Sequence, residues 1–353
     1  MTNFLRLESS APVPIHYKGP RVRRFIATAT DKGETTMTSM KALRFAKYGP
    51  PSVLTFAASE LPRPGPGESL VEVHAAAINP SDVKNVAGAF KTTLPRIPGR
   101  DYAGVVVDGA GKGREIWGSG PAFGIARDGS HAQFIVIPER WLADKPRNLS
   151  MAEAGAIGVP FLAAWNGLVD AAGVKVAETV LATGAGGAAG RTVTQIAHWK
   201  GARVIGADIV DQSTEADVFI NTKMKDLVTE ARAATGGGGV DIAFDAVGGA
   251  LFEPCLKSLA IGGRQIAITS TGERRVSFDL LDFYHNRLHL IGVDTLKLDG
   301  PQIARIFDAL RPGFEVEQLK PFKVQTWPFD KAVDAYVAAA KGGAVKHVLL
   351  PQQ

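Results

Sequence analysis

The stretch Thr179-Val180-Leu181-Ala182-Thr183-Gly184-Ala185-Gly186-Gly187-Ala188-Ala189-Gly190 decides the fold. A short β-forming run passes into residues that are only glycine or alanine, and residues 191–200 continue with helical patterning. A pyrophosphate needs backbone amides at close range and a helix N-terminus aimed at it, and larger side chains here would block both. The spacing Ala185-x-Gly187-x-x-Gly190 is the alanine-led form of the dinucleotide fingerprint. Taken alone it is a weak signal, since glycine-rich tight turns are common. Its context adds a second strand, 203–207, that runs into Asp208, 21 residues after Gly187. A carboxylate there accepts both hydroxyls of an adenosine ribose and repels a 2′-phosphate. The expectation is a nicotinamide cofactor, NAD(P)H, with NADH favoured, and with Val247 beside the turn. The other readings are a solvated strand-end aspartate at 208 and an Arg191 that serves a phosphate.

Outward from this turn, apolar strands alternate with helical stretches at 179–183, 203–207, 217–220, 241–246, 264–268 and 288–293, the signature of a parallel sheet built from βαβ units. Residues 41–138 have another texture. Short β-rich runs at 42–45, 69–74, 104–107 and 133–137 are broken by proline and glycine, as in a β-barrel. After about 296 the texture mixes, with a helix expected at 330–340 and a strand at 347–350.

The chain has 353 residues, 45% hydrophobic and 21% charged, enough for two globular domains. Its formal net charge of +5 is concentrated at the front. Residues 1–39 hold six Lys/Arg against three Asp/Glu, which leaves +2 for the remainder, so the body is nearly neutral and no nucleic-acid partner is expected. That leading segment lacks periodicity and ends near Met37 and Met40, as expected of a disordered extension or an upstream start. Residues 151–173 are apolar but hold Glu153, Asn166 and Asp170, and read as a buried interdomain segment, with no membrane span. The single cysteine, Cys255, can close no intrachain disulfide, and the expected compartment is the reducing cytoplasm.

With the strand 239–249 (Gly-Val-Asp-Ile-Ala-Phe-Asp-Ala-Val-Gly-Gly), Ala77-Ile78-Asn79-Pro80-Ser81-Asp82, Pro98-Gly99-Arg100-Asp101-Tyr102-Ala103-Gly104 and the closing Lys346-His347-Val348-Leu349 in view, the chain resembles the medium-chain dehydrogenase/reductases. It is most similar to their zinc-free quinone oxidoreductase-like branch, from about residue 40 to 351. The resemblance implies an α/β fold in which a Rossmann nucleotide-binding domain, 161–295, is inserted into a GroES-like, β-barrel-type catalytic domain made of 40–160 and 296–353. It also implies a homodimer. Zinc-dependent relatives hold their metal with a cysteine, a histidine and a later cysteine or aspartate. Asn79, Arg100 and Val159 stand at those positions here, so no zinc is expected.

Without a Lewis acid an enzyme loses several kcal/mol of stabilisation for charge on a carbonyl oxygen. Quinones and α,β-unsaturated carbonyls suit such a site, because conjugation spreads that charge. The small-molecule substrate is therefore expected from these classes, with an alcohol, an acyl-thioester or a purely nucleotide-binding role as alternatives. By resemblance, Asn79 faces the substrate oxygen, Ser81 matches a proton-relaying hydroxyl, and Lys84 stands where relatives pass the proton to solvent. A loop cap for Ser81 and a solvated charge for Lys84 are the plainer readings. Asp82 and Arg100 are expected to form an ion pair behind Asn79. Two positions depart from relatives: Phe90 stands where enoyl thioester reductases carry a tyrosine acid, and Ala163 where many members have a threonine. His74 and His131 read as structural.

Overall fold

The computed structural model describes residues 39–210 and 214–353. The expectation for residues 1–39 falls, Ser39 apart, outside the described residues.

In the first half β1 (Ser39–Arg44) and β2 (Thr55–Glu60) form a two-stranded antiparallel sheet, while β3 (Glu68–Ala77), β4 (Asp101–Asp108), β5 (Glu115–Ser119), β6 (Phe134–Pro138) and β7 (Ala143–Asp144) belong to a larger sheet, with a short helix α1 (Pro80–Val86) after β3. β3 is its spine. It pairs antiparallel with both β4 and β6, and its buried positions Val71, Val73 and Ala75 face the interior in strict alternation with Glu72 and His74. Helix α2 (Met151–Trp165), capped by Ser150 and Glu153, then carries the chain into the second half. Apolar composition and length make 151–171 a candidate membrane span, yet 72% of its most apolar window is buried inside the protein. The segment packs against β3, β4 and the helix that follows the glycine turn.

The second half is a six-stranded parallel sheet. Its elements are β8 (Thr179–Thr183), α3 (Ala188–Trp199), β9 (Arg203–Asp208), β10 (Val218–Asn221), α4 (Leu227–Ala233), β11 (Val240–Asp245), α5 (Phe252–Ser258), β12 (Leu259–Ala267), α6 (Leu280–His285) and β13 (His289–Gly292). The spatial order β10-β9-β8-β11-β12-β13 is the doubly wound one, so the order reverses between β8 and β11. In doubly wound sheets ligands bind at such a reversal, outside the carboxyl ends of the strands. The chain then forms α7 (Gly300–Glu315), β14 (Val324–Pro328), α8 (Ala332–Ala340) and β15 (Lys346–Leu350), and β15 returns to pair antiparallel with β3. A Rossmann unit is thus inserted into a GroES-like one. One apolar core spans both halves, with Trp117 edge-on to Phe307 and Phe314 at 5.1 and 5.5 Å and continuing through Phe161 to Phe244 and Ile266. Burial of each such side chain contributes roughly 1.5–3 kcal/mol.

The Rossmann strands lie within a few residues of the sequence expectation, and α3 begins three residues earlier than the 191–200 reading because the glycine turn itself enters the helix. Strands β2, β5 and β14 were not legible. Each is short, and β14 owes its place to parallel pairing with β15.

Candidate active site

The cofactor turn lies at the point where the strand order reverses. Gly184 has φ +62°, a conformation that favours glycine, and turns the chain out of β8. Gly187 caps α3 with extended backbone, and Ala188 and Ala189 form its first turn. A Cβ at Gly190 would stand 2.3 Å from the Gly184 carbonyl oxygen and 2.5 Å from the Ala185 Cα, so only glycine lets helix and turn close. Opposite, Val247 Cγ2 lies 3.5 Å from where a Gly184 side chain would begin. Asp245 ties the two strand ends together: its Oδ1 accepts from Thr183 Oγ1 at 2.9 Å and from the Val247 and Gly248 amides at 3.0 and 2.8 Å. At the end of β9, Asp208 Oδ2 accepts the Gly186 N–H at 2.9 Å and its Oδ1 accepts the Ile209 N–H at 2.7 Å. The Arg191 Nε donates to the Gly186 carbonyl at 2.8 Å and braces the turn from the helix side. These residues fit a dinucleotide: an open glycine cradle at a helix N-terminus, with a carboxylate at the ribose position.

The floor of the cleft is built where β3 hands over to α1. Asn79 is buried, and its backbone N–H is accepted by Asp82 Oδ2 at 2.7 Å, which fixes the first turn of α1. Its carboxamide is committed on both sides. The NH₂ donates to Asp101 Oδ2 at 2.7 Å, while the carbonyl oxygen accepts from Lys346 Nζ at 2.6 Å. Asp101 in turn accepts the Val159 N–H on both oxygens at 3.0 Å. That amide is free because α2 breaks its helical geometry at Gly158 (φ −14°, ψ −110°) ahead of Pro160. A Cβ at Gly158 would meet the Asp101 carboxylate at 1.8 Å, so the glycine makes room for the acid.

Two expectations are corrected here. The first is the Asp82–Arg100 ion pair: no contact within 4.0 Å joins the two, which act on each other only as neighbouring charges. The Arg100 guanidinium turns instead to Thr295, donating to its Oγ1 at 3.2 Å and its carbonyl at 3.4 Å, and so joins the floor to the segment just after β13. The second is the role of Asn79: a side chain 1% exposed and bound by Asp101 and Lys346 does not present an open amide to a substrate oxygen. Only the second N–H of its NH₂ is left uncommitted.

Burial dominates the electrostatics. It raises the Asp82 carboxyl to about 7, helped by the Asp101 charge, against the Asn79 amide and the Arg100 and Lys346 cations. Burial likewise lowers Lys346, with Asp101 and Asp82 opposing. Ser81 Oγ is buried and has no hydrogen-bond partner within the protein. Lys84, one turn further along α1, is exposed. His131 is structural: burial holds it near 4, its Nε2 donates to the Ala77 carbonyl at 3.1 Å, and its Nδ1 accepts from Tyr336 Oη at 2.9 Å. The sequence reading gave Asp101, Lys346 and Thr295 no role, although the first two stood in motifs it quoted.

Zinc does not fit this floor. The three positions offer a committed amide, a guanidinium and a backbone N–H, and among the described residues no three His, Cys, Asp or Glu side chains converge.

Comparison with known proteins agrees with the fold and with a nicotinamide cofactor. The family model for the alcohol dehydrogenase GroES-like domain matches residues 65–147, and the model for zinc-binding dehydrogenases matches residues 188–309. A zinc-type alcohol dehydrogenase-like protein of Schizosaccharomyces pombe is 35% identical over 312 residues, covering 84% of this chain and 93% of the relative. Human quinone oxidoreductase is 28% identical over 329 residues, 88% of this chain and 98% of its own. The structure of mycobacterial Rv1454c complexed with NADPH superimposes with a TM-score of 0.76 at 25% identity, covering 89% of this chain and all of that one. From fold, cofactor cradle and relatives together, the chain belongs to the medium-chain dehydrogenase/reductase superfamily, among its quinone oxidoreductase-like members, and is an NAD(P)H-dependent oxidoreductase.

Proposed function

We propose that the chain reduces quinones or α,β-unsaturated carbonyls with NADH and without zinc. The observation that carries this is the floor itself: where metal-dependent relatives place ligands, this chain has a closed network of Asn79, Asp101, Val159 and Lys346. When bound, the nicotinamide supplies a hydride, and one proton from solvent completes the two-electron reduction. A conjugated acceptor spreads the incoming charge, so hydrogen bonding at its oxygen suffices.

The protein's part is to orient and to move the proton. Gly184, Gly186, Gly187 and Gly190 leave the pyrophosphate its space, and Val247 walls the crevice at the strand reversal. Asp208 takes the ribose hydroxyls, which favours NADH. Ser81 Oγ is the donor to the substrate oxygen, and Lys84 on the exposed side of α1 returns the proton from solvent. Asn79 acts from beneath, through its fixed carboxamide. A panel of quinones, enals, enones and alcohols, each offered with NADH and NADPH, tests the reading. Turnover of alcohols alone would overturn it.

The partner of this site is a small molecule. The assembly we propose is a homodimer: β13 forms one edge of the Rossmann sheet, with Leu290 exposed on it and Leu280, Leu281 and Tyr284 exposed on the neighbouring α6. A second copy pairing its own β13 antiparallel across a two-fold axis satisfies that edge and covers those side chains. The cytoplasm is the proposed compartment, in keeping with one buried, unpaired cysteine.

A further inference from the structure

Lys346 is 6% exposed, and a lysine so buried is rare unless it is paired. Its partners are polar side chains of the same floor rather than solvent. Its position is set by sheet register. β15 pairs antiparallel with β3 through Val348 opposite Ala77 and Leu349 opposite Ala76, and the Ile78 amide donates to the His347 carbonyl at 2.9 Å. Continued by one pair, that register puts Lys346 directly across from Asn79, where Nζ reaches the carboxamide oxygen at 2.6 Å.

The groups that face the ammonium come from separate elements. Asn79 and Asp82 belong to the start of α1, Asp101 to β4, and the Phe322 ring before β14 lies with its centroid 6.0 Å from Nζ. Arg100 adds a second buried cation to the same floor. An ammonium can only donate and an ionised carboxylate can only accept, so Lys346 and Asp101 together dictate how the Asn79 amide is turned: oxygen to the lysine, NH₂ to the aspartate. Asp101 and Asp82 face both cations, and Asp294 faces Arg100 as well.

We propose that Lys346 is a positioning residue for hydride transfer: its ammonium locks the Asn79 carboxamide and supplies fixed positive charge under the acceptor, in the place where relatives keep a metal. This rests on the function proposed above. A dry site makes such a preorganised charge worth far more than the same charge in water. Lys346 therefore acts on the transition state through Asn79, and its loss appears in kcat and leaves NADH affinity intact.

The test uses the full chain. Lys346→Met removes charge and donor at similar volume, Lys346→Arg keeps both, and each variant is checked by thermal melting and by NADH binding from fluorescence titration. The expected result is a fall of at least tenfold in kcat for Lys346→Met, with NADH Kd within about threefold of wild type. The isotope effect from C4-deuterated NADH should rise as hydride transfer becomes limiting, and Lys346→Arg should recover most of the rate. Should Lys346→Met fail to fold, Lys346→Gln replaces it with the same expected loss. An unchanged kcat in a folded variant overturns the proposal, as does a loss confined to NADH Kd, which would make Lys346 a cofactor ligand. Wild type run on the whole substrate panel separates the two claims. If it reduces only alcohols or their carbonyls, the substrate class is wrong, and Lys346 is judged by the same variants on that substrate. If it turns over nothing, both fall.

Discussion

Replacing Asp208 with serine should narrow the enzyme's discrimination between NADH and NADPH, mainly by improving NADPH. The carboxylate ends β9 and is held by the Gly186 and Ile209 amides at 2.9 and 2.7 Å, so it cannot swing away from an incoming ribose. A ribose bound through its hydroxyls puts a 2′-phosphate within about 5 Å of that charge. At this distance each unit of like charge costs ~0.8 kcal/mol in water and ~3 kcal/mol at the effective dielectric of a protein surface. Since 1.4 kcal/mol is tenfold, wild type should prefer NADH by roughly tenfold or more in kcat/KM. Residues 209–213 contain no lysine or arginine to offset the charge. Serine removes the repulsion but also the brace on the Gly186 amide, so NADH should weaken modestly while NADPH gains. Initial rates with both cofactors on wild type and Asp208→Ser check this. Better use of NADPH by wild type would show that Asp208 does not read the ribose.

Asp82 supplies a pH prediction. Its carboxyl rises from 3.8 in the unfolded chain to about 7 in the fold, so the native state binds the extra proton between those values. Stability is therefore fullest below about pH 4, falls as pH rises toward 7, and stays reduced above, by up to ~4 kcal/mol for this group. Asp82→Asn, whose carbonyl still accepts the Asn79 amide, should flatten that slope in denaturant melts taken from pH 4 to 8. An unaltered slope would remove Asp82 as its source. Sedimentation of wild type should give a dimer and Leu290→Asp a monomer; a monomeric wild type would refute pairing through β13.

How much of this was legible follows from how far apart the interacting residues lie. The cofactor cradle is local: a strand, a glycine turn, a helix and an acid at the next strand end sit within 30 residues, and their backbone requirements show in residue types. The Rossmann strands were legible because buried parallel strands read as apolar runs. The floor was not. Asn79 meets Asp101 over 22 residues and Lys346 over 267, and only the return of β15 to β3 joins them. Motif order pointed Arg100 toward Asp82, whereas tertiary packing offered it Thr295, 195 residues away. The kink that frees the Val159 amide needs both Gly158 and Pro160, and its purpose emerges only once Asp101 is seen against it.

The central claim is metal-free hydride transfer to a conjugated acceptor. It is tested most directly by following NADH oxidation with a quinone as acceptor, using protein whose zinc content has been measured and which has been assayed before and after chelator treatment. Well under one equivalent of zinc and the same turnover in both assays are expected. Stoichiometric zinc, with turnover that disappears on chelation and returns with the metal, would contradict it.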